Sequence, residues 1–268
     1  MPLVLTVHGT DLMGFDKWPH LRPYAVRAMD AARKAICISE DNELLTLKAF
    51  PEHAAKVVRM RNGFNPDVFF PQQLDRSEVL AGHGVGYAGE RLVLFAGKLT
   101  HFKGVDVLLD AVARYEAMLP GEVLTVIAGD GERRDELEGQ MRRLGLGSVR
   151  FIGNVSQAEL ARLYNVADVD VVPSRNEPFG LVAVEAMACG TPVVASNIGG
   201  LPNFVNAAVG ALAIPEDPDD LARCIVETLH RAEADGAWRD EIAAYASGNY
   251  SQSAIIAELV SLYEEARG

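Results

Sequence analysis

From Arg91 onward, short apolar runs alternate regularly with longer segments of helical spacing. The apolar runs predict strands at 91–96, 122–128, 149–152, 168–172, 192–195 and 210–214. The segments that follow them predict helices at 104–118, 132–144, 156–166, 180–189, 200–207 and 217–234. Because this alternation is typical of a parallel sheet with helices on both faces, the sequence predicts one doubly wound α/β domain over residues 91–245.

The first 75 residues contain fewer elements. Apolar runs predict three short strands at 3–7, 35–38 and 56–60, and helical spacing predicts helices at 24–34 and 40–50. These elements make only half of a doubly wound domain, so their sheet would have an unpaired edge and an uncovered apolar face. We therefore expect a truncated chain, or a sheet that is completed by a second copy of this chain or by a separate N-terminal polypeptide.

Residues 76–90 contain four glycines and predict a linker. Their spacing also fits a phosphate-binding loop, but they precede a strand instead of following one, so the linker is favoured. The last helical segment, 253–267, should pack against another part of the chain, because its apolar side chains share one face. These side chains are Ile255, Ile256, Leu259, Val260 and Tyr263.

The net charge of −12 arises entirely from residues 76–268, since residues 1–75 contain nine basic and nine acidic side chains. An acidic body disfavours nucleic acid, whose binding requires Lys and Arg to neutralise phosphates. No apolar stretch approaches the roughly 20 residues of a membrane-spanning helix, and Met1–Val7 lacks the basic start of a signal peptide. The three cysteines are widely spaced without a Cys-x-x-Cys pair, so we expect a cytoplasmic protein without disulfides.

Two glutamates carry the strongest candidate chemistry. Glu177 lies in a Pro/Gly turn after the predicted strand 168–172, and Glu185 lies on the helix that the turn opens. Ligands of open α/β sheets bind at the carboxyl ends of strands, where a helix N-terminus offers free N–H groups. Two carboxylates there would repel a bare phosphate but suit the hydroxyls of a ribose or a hexose. The pattern therefore indicates a sugar nucleotide.

Two lysines follow the first strand of the regular domain. Gly97 allows close backbone approach, and Lys98 and Lys103 bring two ammonium groups to one strand-end loop. Fixed cations at such a site stabilise the negative charge of a leaving diphosphate. The alternative is an ordinary solvated basic loop, and the nearby Glu177 and Glu185 favour the functional interpretation.

Three further signals are weaker. Gly129, in Gly-Asp-Gly, either lets a nucleotide approach the main chain or only forms a tight turn. Residues 196–202 either aim N–H groups at a phosphate or only start a helix. His8 lies at a strand end beside Gly, Thr and Asp, which favours a functional role. No histidine has metal-ligand spacing, so we predict no metal site.

The stretch from Glu177 to Ser196 resembles the E-x7-E signature of retaining GT-B glycosyltransferases, in the large family that includes phosphatidylinositol mannosyltransferases and sucrose synthases. The resemblance runs from about Leu3 to the C-terminal helix. It includes further motifs in the expected order: Thr6–Gly9, Asn62–Gly63, Gly97–Gly104, Gly129–Gly131, Phe151–Gly153, Ala167–Val169, Pro173–Ser174 and Gly199–Pro202.

The resemblance implies a GT-B architecture with two Rossmann-like domains. Residues 1–75 would be part of the N-terminal acceptor domain, 76–90 a linker and 91–245 a complete C-terminal donor domain. The C-terminal helix, within 246–268, would pack back toward the first domain. About the first half of the family's acceptor domain, with its Gly-rich loop, has no counterpart in this sequence.

The resemblance also implies roles for the matching residues. His8, Lys98, Lys103 and Glu177 would take part in catalysis, with Glu177 at the donor sugar, both lysines at the diphosphate and His8 facing the acceptor. The nucleotide-sugar donor would be bound by Gly97, Gly129, Ile152, Gly153, Phe179, Gly180, Leu181 and Glu185, with Glu185 at the ribose and Ile152 and Gly153 near the base.

The implied reaction moves a hexosyl unit from a nucleoside-diphosphate sugar to a hydroxyl acceptor with retention at the anomeric carbon, without a metal or other cofactor. The alternative is a binding remnant or subunit that holds the donor but transfers nothing without a separate N-terminal half. Another GT-B enzyme, such as a UDP-sugar 2-epimerase, agrees less well with the E-x7-E stretch.

Three residues depart from the family pattern. Lys98 replaces the commoner arginine, which keeps the charge but not the bidentate geometry. Asn65 replaces an aspartate after Asn62–Gly63, and Asn203 replaces a glutamate after Pro202. These differences affect details of the site more than the class of reaction.

Overall fold

The structure is a computed structural model that describes residues 2–8 and 19–267. Its strands form two parallel sheets, a three-stranded sheet in the order β1-β2-β3 and a six-stranded sheet in the order β6-β5-β4-β7-β8-β9. The strands are β1 Leu3–Val7, β2 Ala32–Cys37, β3 Val57–Arg59, β4 Arg91–Ala96, β5 Val123–Ala128, β6 Val149–Gly153, β7 Val169–Val172, β8 Val193–Ser196 and β9 Gly210–Ala213.

Helices connect the strands. They are α1 Arg22–Ala31, α2 Glu40–Ala49, α3 Arg76–Ala81, α4 Val105–Met118, α5 Arg134–Leu144, α6 Gln157–Val166, α7 Leu181–Ala188, α8 Pro218–Ala234, α9 Trp238–Tyr250 and α10 Gln252–Arg267. Short 3-10 turns lie at Pro19–Leu21, Pro51–Lys56, His101–Lys103 and Leu201–Asn203. Among the described helices, none is both long and apolar enough to cross a membrane.

The larger sheet reverses its direction of growth between β4 and β7. The chain first builds β5 and β6 on one side of β4, and then adds β7, β8 and β9 on the other side. Val93 pairs with Val169 and Leu94 with Asp170 at this junction. The connection after β4 runs to one side of the junction and the connection after β7 runs to the other. A crevice therefore opens between them at the carboxyl ends of the two strands, where ligands of such sheets bind.

Side chains on β4 alternate between two buried faces. Leu92 and Leu94 lie in one hydrophobic core with Val184 of α7, whereas Val93 and Phe95 lie in a second core, on the opposite face, with α4. A parallel sheet covered on both faces gives nearly continuous apolar strands, and this is the pattern in the sequence. Full burial of one such aliphatic side chain stabilises the fold by about 1.5–3 kcal/mol.

In two predicted segments the type of element differs from the prediction. The segment 76–90, for which the glycines predict a linker, begins with helix α3, and Val79, Leu80 and Val85 are buried in the main core. The four glycines follow this helix closely and dominate the composition of the segment, so the short amphipathic helix before them was not predicted. The helix predicted at 200–207 is only the 3-10 turn Leu201–Asn203.

The C-terminal helix α10 packs on the three-stranded sheet through one side only. Leu262, with Ile255 and Leu259, lies against Ile36 and Met60. The prediction that all five apolar side chains of this helix share one packed face is wrong for three of them. Ile256, Val260 and Tyr263 are 54%, 49% and 46% exposed, because the packed face of the helix is narrower than its apolar stripe.

Candidate functional site

The loops that follow β4 and β7 meet at the crevice. Lys103, in the 3-10 turn after β4, donates a hydrogen bond of 2.6 Å from Nζ to Oε2 of Glu177, which lies in the loop after β7. Ser174 Oγ lies 3.5 Å from the same oxygen. Glu177 is buried, and the Lys103 side chain is 27% exposed, so the pair has one face toward solvent. The structure therefore joins two residues that are 74 positions apart in the sequence.

The main chain of Glu177 is held by the loop after β8. Gly200 donates its backbone N–H to the carbonyl oxygen of Glu177 at 2.9 Å. Gly199 has a φ of +59°, and a Cβ atom there would lie 2.2 Å from the same oxygen. Of the two alternatives for residues 196–202, an anion-binding loop or a helix start, the structure supports the second, because Gly200 is the N-cap of the 3-10 turn Leu201–Asn203. The Gly200 N–H is used to fix Glu177.

Helix α7 begins directly after the loop that carries Glu177. Gly180, its N-cap, has a φ of +102°, and Leu181, its first residue, is 41% exposed. The N–H groups of a first helical turn have no partner within the helix. Together with the partial positive charge of a helix N-terminus, they would favour an anionic group beside the Lys103–Glu177 pair.

Glu185 lies one turn further along α7 and is largely enclosed. Burial raises the pKa of Glu185 from its usual value to about 7. Asp170 on β7 is fully buried close enough to Glu185 to interact with it electrostatically, and burial, followed by the Glu185 charge, raises the pKa of Asp170 well above its usual value. Tyr164 of α6 is buried close to both carboxyl groups, and burial followed by their charges raises its pKa. A carboxyl group one turn beyond the start of α7 thus changes its charge near neutral pH.

Three predicted glycines meet at the carboxyl edge of the neighbouring strands. Gly129 donates its N–H to the carbonyl oxygen of Gly153 at 2.7 Å. A Cβ atom on Gly129 would lie 1.9 Å from the carbonyl oxygen of Gly97, so only glycine fits this position. Ile152 is half-buried against the main core. Gly97, Gly129 and Gly153 therefore lie side by side at the carboxyl ends of β4, β5 and β6, with the Gly97 carbonyl group packed against Gly129.

Lys98 and His8 lie at the margins of this arrangement. The Lys98 side chain is exposed, and it forms no ion pair with a carboxylate among the described residues. His8 follows β1, in which Val7 pairs with Cys37, so it lies at the same sheet edge as Ile38 and Ser39. Gly9, Thr10 and Asp11, which complete the motif around His8, lie outside the described residues.

A cleft of about 540 Å³ separates the two sheets. The smaller sheet and helix α2 contribute one wall, and the loops of the larger sheet, with Phe179, contribute the other. Its lining residues are Ile38, Ser39, Glu40, Arg59, Arg61, Phe179, Pro202, Asn203, Phe204, Tyr250 and Glu258. Phe179 connects this cleft to the loop of Glu177 along the chain, whereas Glu177 and Lys103 themselves do not line the cleft.

Sequence reasoning missed several residues of this region. Arg59 and Arg61 line the cleft, but an isolated pair of arginines after a short strand gives no recognisable signal. Asn203, noted only as a departure from the family pattern, accepts a hydrogen bond of 3.1 Å from the N–H of Glu40 and so links the two walls. Among residues 2–8 and 19–267, no three His, Cys, Asp or Glu side chains are grouped so that they could hold a metal ion.

Comparison with known proteins identifies the family. Residues 85–244 match the family described as "Glycosyl transferases group 1", which is more than half of the chain. The chain belongs to this glycosyltransferase family. This glycosyltransferase is 33% identical over 282 aligned residues to an uncharacterized glycosyltransferase of Methanocaldococcus jannaschii, with 98% of the chain and 69% of that relative covered. It is 36% identical to the D-inositol 3-phosphate glycosyltransferase of Streptosporangium roseum, with 84% of the chain and 53% of that relative covered.

Solved structures agree with the assignment of this glycosyltransferase. Anabaena HepE, in a crystal structure with UDP-glucose, superposes with a TM-score of 0.83 at 28% identity, over 98% of this chain and 72% of that one. The fold prediction is thereby confirmed: this is a GT-B glycosyltransferase of the α/β class. The chain spans about half the length of several curated relatives that it matches.

Proposed function

We propose that this glycosyltransferase transfers a hexosyl unit from a nucleoside-diphosphate sugar to a hydroxyl acceptor, with retention of configuration at the anomeric carbon. The proposal rests mainly on the 2.6 Å contact between Lys103 and Glu177. In a sugar nucleotide, one oxygen atom joins the anomeric carbon to the diphosphate. A carboxylate that holds the sugar and a cation that holds the diphosphate must therefore be neighbours, as these two are.

The remaining donor contacts follow from the surroundings of this pair. The first turn of α7, with the Leu181 N–H, would face the diphosphate, and the exposed ammonium of Lys98 would add a second cation. The glycines Gly97, Gly129 and Gly153, which have no side chains, would let the nucleotide lie close to the sheet edge, with the base near Ile152. Glu185 would accept hydrogen bonds from the ribose hydroxyls.

The reaction itself needs charge stabilisation more than proton transfer by the protein. The bond between the anomeric carbon and the diphosphate oxygen breaks, and the electron pair leaves with the diphosphate. The acceptor oxygen forms its bond on the same face of the sugar, and its proton passes to the departing phosphate oxygen. Lys98, Lys103 and the start of α7 would stabilise the developing negative charge, since fixed dipoles and cations act strongly in a site with little water.

The acceptor would enter through the cleft between the two sheets. Phe179 contributes to both the cleft and the loop of Glu177, so a hydroxyl in the cleft can approach a sugar held at Glu177. His8 lies at the sheet edge that ends in Ile38 and Ser39, and both of these residues line the cleft. We propose that His8 faces the acceptor side of the reaction centre. The two cations would neutralise the diphosphate without a metal ion, so chelation with EDTA should leave the rate unchanged.

A donor panel tests the proposal. UDP-, GDP- and ADP-hexoses are incubated with the protein and nucleotide release is measured, starting with UDP-glucose because Anabaena HepE was crystallised with it. We expect release with at least one donor, and a rate at least about 100-fold lower for Glu177→Ala and Lys103→Ala. NMR of the product should give the same anomeric configuration as the donor.

The panel also distinguishes the alternative. Calorimetric binding of a donor without nucleotide release would support a protein that holds the sugar nucleotide but transfers nothing. Neither binding nor release for any donor would contradict both versions of the proposal.

A further inference from the structure

Arg175 joins the loop of Glu177 to the loops at the ends of other strands. It lies two residues before Glu177, in the segment between β7 and α7. Its Nη1 and Nη2 atoms donate to Oδ1 and Oδ2 of Asp106 on α4, each at 2.8 Å. Its Nε atom donates to Oε1 of Glu216, between β9 and α8, at 2.7 Å.

Two further bonds fix Arg175 directly to the turn that carries Lys103. Its Nη1 atom donates to the carbonyl oxygen of His101 at 2.9 Å, and its backbone N–H donates to the carbonyl oxygen of Phe102 at 2.8 Å. His101 and Phe102 immediately precede Lys103. The residue that leads into Glu177 thus holds the residues that lead into Lys103, from both its side chain and its main chain.

Asp106 extends the connection to a fourth loop. Its Oδ1 atom also accepts a bond of 3.2 Å from Nη1 of Arg133, which follows β5. Burial alone would raise the pKa of Asp106, but the hydrogen bonds and charges of Arg175 and Arg133 lower it below its usual value. The Arg175 and Asp106 side chains are only 14% and 22% exposed, so solvent screens this pair less than a surface ion pair.

We propose that Arg175 is a positioning residue that sets the separation and direction of Lys103 relative to Glu177. This inference rests on the proposed function. Arg175 acts through the two main-chain segments and needs no contact with the donor. The planar guanidinium is required because one side chain must make a bidentate bond to Asp106, a bond to Glu216 in another direction and a bond to a carbonyl group, which an ammonium group cannot do.

The variant Arg175→Lys tests the proposal, because it keeps the positive charge and removes the planar guanidinium group that makes the bidentate bond. Errors of about 1 Å between reacting groups lower rates about 100-fold. We therefore expect kcat for nucleotide release to fall roughly 10- to 100-fold. The donor Kd should change by less than about threefold, and the melting temperature by less than about 3 °C. Asp106→Asn should lower kcat to a similar extent. The kcat of the double variant should be no lower than that of the less active single variant, because both substitutions break the same hydrogen-bonded unit.

Arg223 provides the matched control. It also bridges two carboxylates, Asp220 at 2.6 Å and Glu227 at 2.8 Å, but both partners lie on its own helix, α8. Arg223→Lys should retain the wild-type kcat. Unchanged kcat in Arg175→Lys, or a loss matched by equal losses of donor affinity and folding stability, would overturn the positioning role.

A crystal structure of Arg175→Lys separates this inference from the proposed function. The distance between Lys103 Nζ and Glu177 Oε2 should exceed 3.5 Å in the variant. A pair that remains at 2.6 Å contradicts the inference even if the wild-type protein releases nucleotide. A displaced pair supports it even if no donor is turned over, and in that case only the proposed function fails.

Discussion

Asp170 is a carboxyl group in a strand that is otherwise valine. It lies on β7 between Val169 and Val171 and is fully buried. Within the described part of the chain, neither of its carboxyl oxygens meets a hydrogen-bond partner of good geometry. Burial, followed by the Glu185 charge, raises the pKa of Asp170 well above its usual value, so the fold disfavours the ionised form of this carboxyl group. A buried carboxyl group whose oxygen atoms lack hydrogen bonds of good geometry weakens the fold.

Substitution of Asp170 should therefore stabilise the protein. We expect Asp170→Val to raise the free energy of unfolding by about 1–3 kcal/mol at pH 8, measured by urea denaturation. Asp168 is the matched control, since it lies two residues away and pairs with Arg76 at 2.7 Å. Asp168→Asn should lower stability. A loss of stability in Asp170→Val would mean that Asp170 makes a favourable interaction.

The pH dependence of stability gives a second measure of the same residue. A carboxyl group with a raised folded-state pKa stabilises the protein fully below its unfolded pKa, and this contribution is lost as pH rises toward the folded pKa. Wild-type stability should therefore fall above about pH 4, by at most about 1.4 kcal/mol per pH unit for one group. Asp170→Asn should reduce this slope and leave the contribution of Glu185 between pH 4.5 and about 7.

Glu185 should make donor binding depend on pH. With a pKa of about 7 caused by burial, it is mostly neutral at pH 6 and mostly ionised at pH 8. If the ionised form accepts the ribose hydroxyls, the Kd for a nucleotide sugar should fall about tenfold from pH 6 to pH 8. Calorimetry with a nucleotide sugar measures this without interference, because its diphosphate has no free terminal phosphate that titrates near pH 6.

The control for this titration is Glu185→Gln, whose affinity should not vary between pH 6 and pH 8. Imidazole groups also change charge in this range, so His8→Asn is titrated in parallel. A wild-type pH dependence that disappears in His8→Asn but persists in Glu185→Gln would contradict the assignment to Glu185.

At the scale of elements, the loop after β8 supports the loop after β7. Gly199→Ala would bring a Cβ atom to 2.2 Å from the Glu177 carbonyl oxygen at a φ of +59°. We expect a loss of nucleotide release of about 100-fold and of stability by about 1–3 kcal/mol, because the Glu177 loop must move. Gly248 on α9 is the control, since a Cβ atom there meets nothing within 4 Å. Gly248→Ala should keep the activity and add about 0.5–1 kcal/mol of stability.

The regular elements could be predicted because each begins and ends with a change of pattern. Strand β4 was predicted at the residues where it lies, and α4 begins one residue after its predicted start. In contrast, α1 ends at Ala31 and β2 begins at Ala32 without any turn residue, so periodicity could not locate the boundary and predicted the strand at 35–38.

The candidate site was predictable only where one loop carries a recognisable motif. Lys103 and Glu177 were predicted for the same donor site from two separate motifs, and their direct contact follows from the order β4-β7 in the sheet. Arg175 lies in the middle of the predicted motif, but its partners Asp106 and Glu216 come from other loops. Such a connection depends on sheet order and loop shape, which hydrophobic spacing does not encode.

At the scale of the whole molecule, the chain returns toward its first sheet where the end of α9 contacts the segment after β3. The Phe64 N–H donates to the Tyr250 carbonyl oxygen at 2.9 Å, and the Gln252 N–H donates to the Phe64 carbonyl oxygen at 3.0 Å. Ile38 and Phe64 are buried in the same hydrophobic core as Phe179. Since the core is shared, the cleft wall of the smaller sheet and the cleft wall of the larger sheet, which carries the proposed donor site, should unfold together.

Ligand binding at the donor site should therefore stabilise the entire chain in one step. A nucleotide present at 100 times its Kd adds about 2.7 kcal/mol to the free energy of unfolding, which corresponds to roughly 5–10 °C for a chain of this size. Scanning calorimetry with UDP, GDP and ADP should show one transition that moves upward with the preferred nucleotide, and Lys103→Ala should reduce the shift. Two transitions, of which only one moves, would mean that the shared core is too weak to couple the two sheets, so that ligand binding at the larger sheet could not order the cleft wall of the smaller sheet.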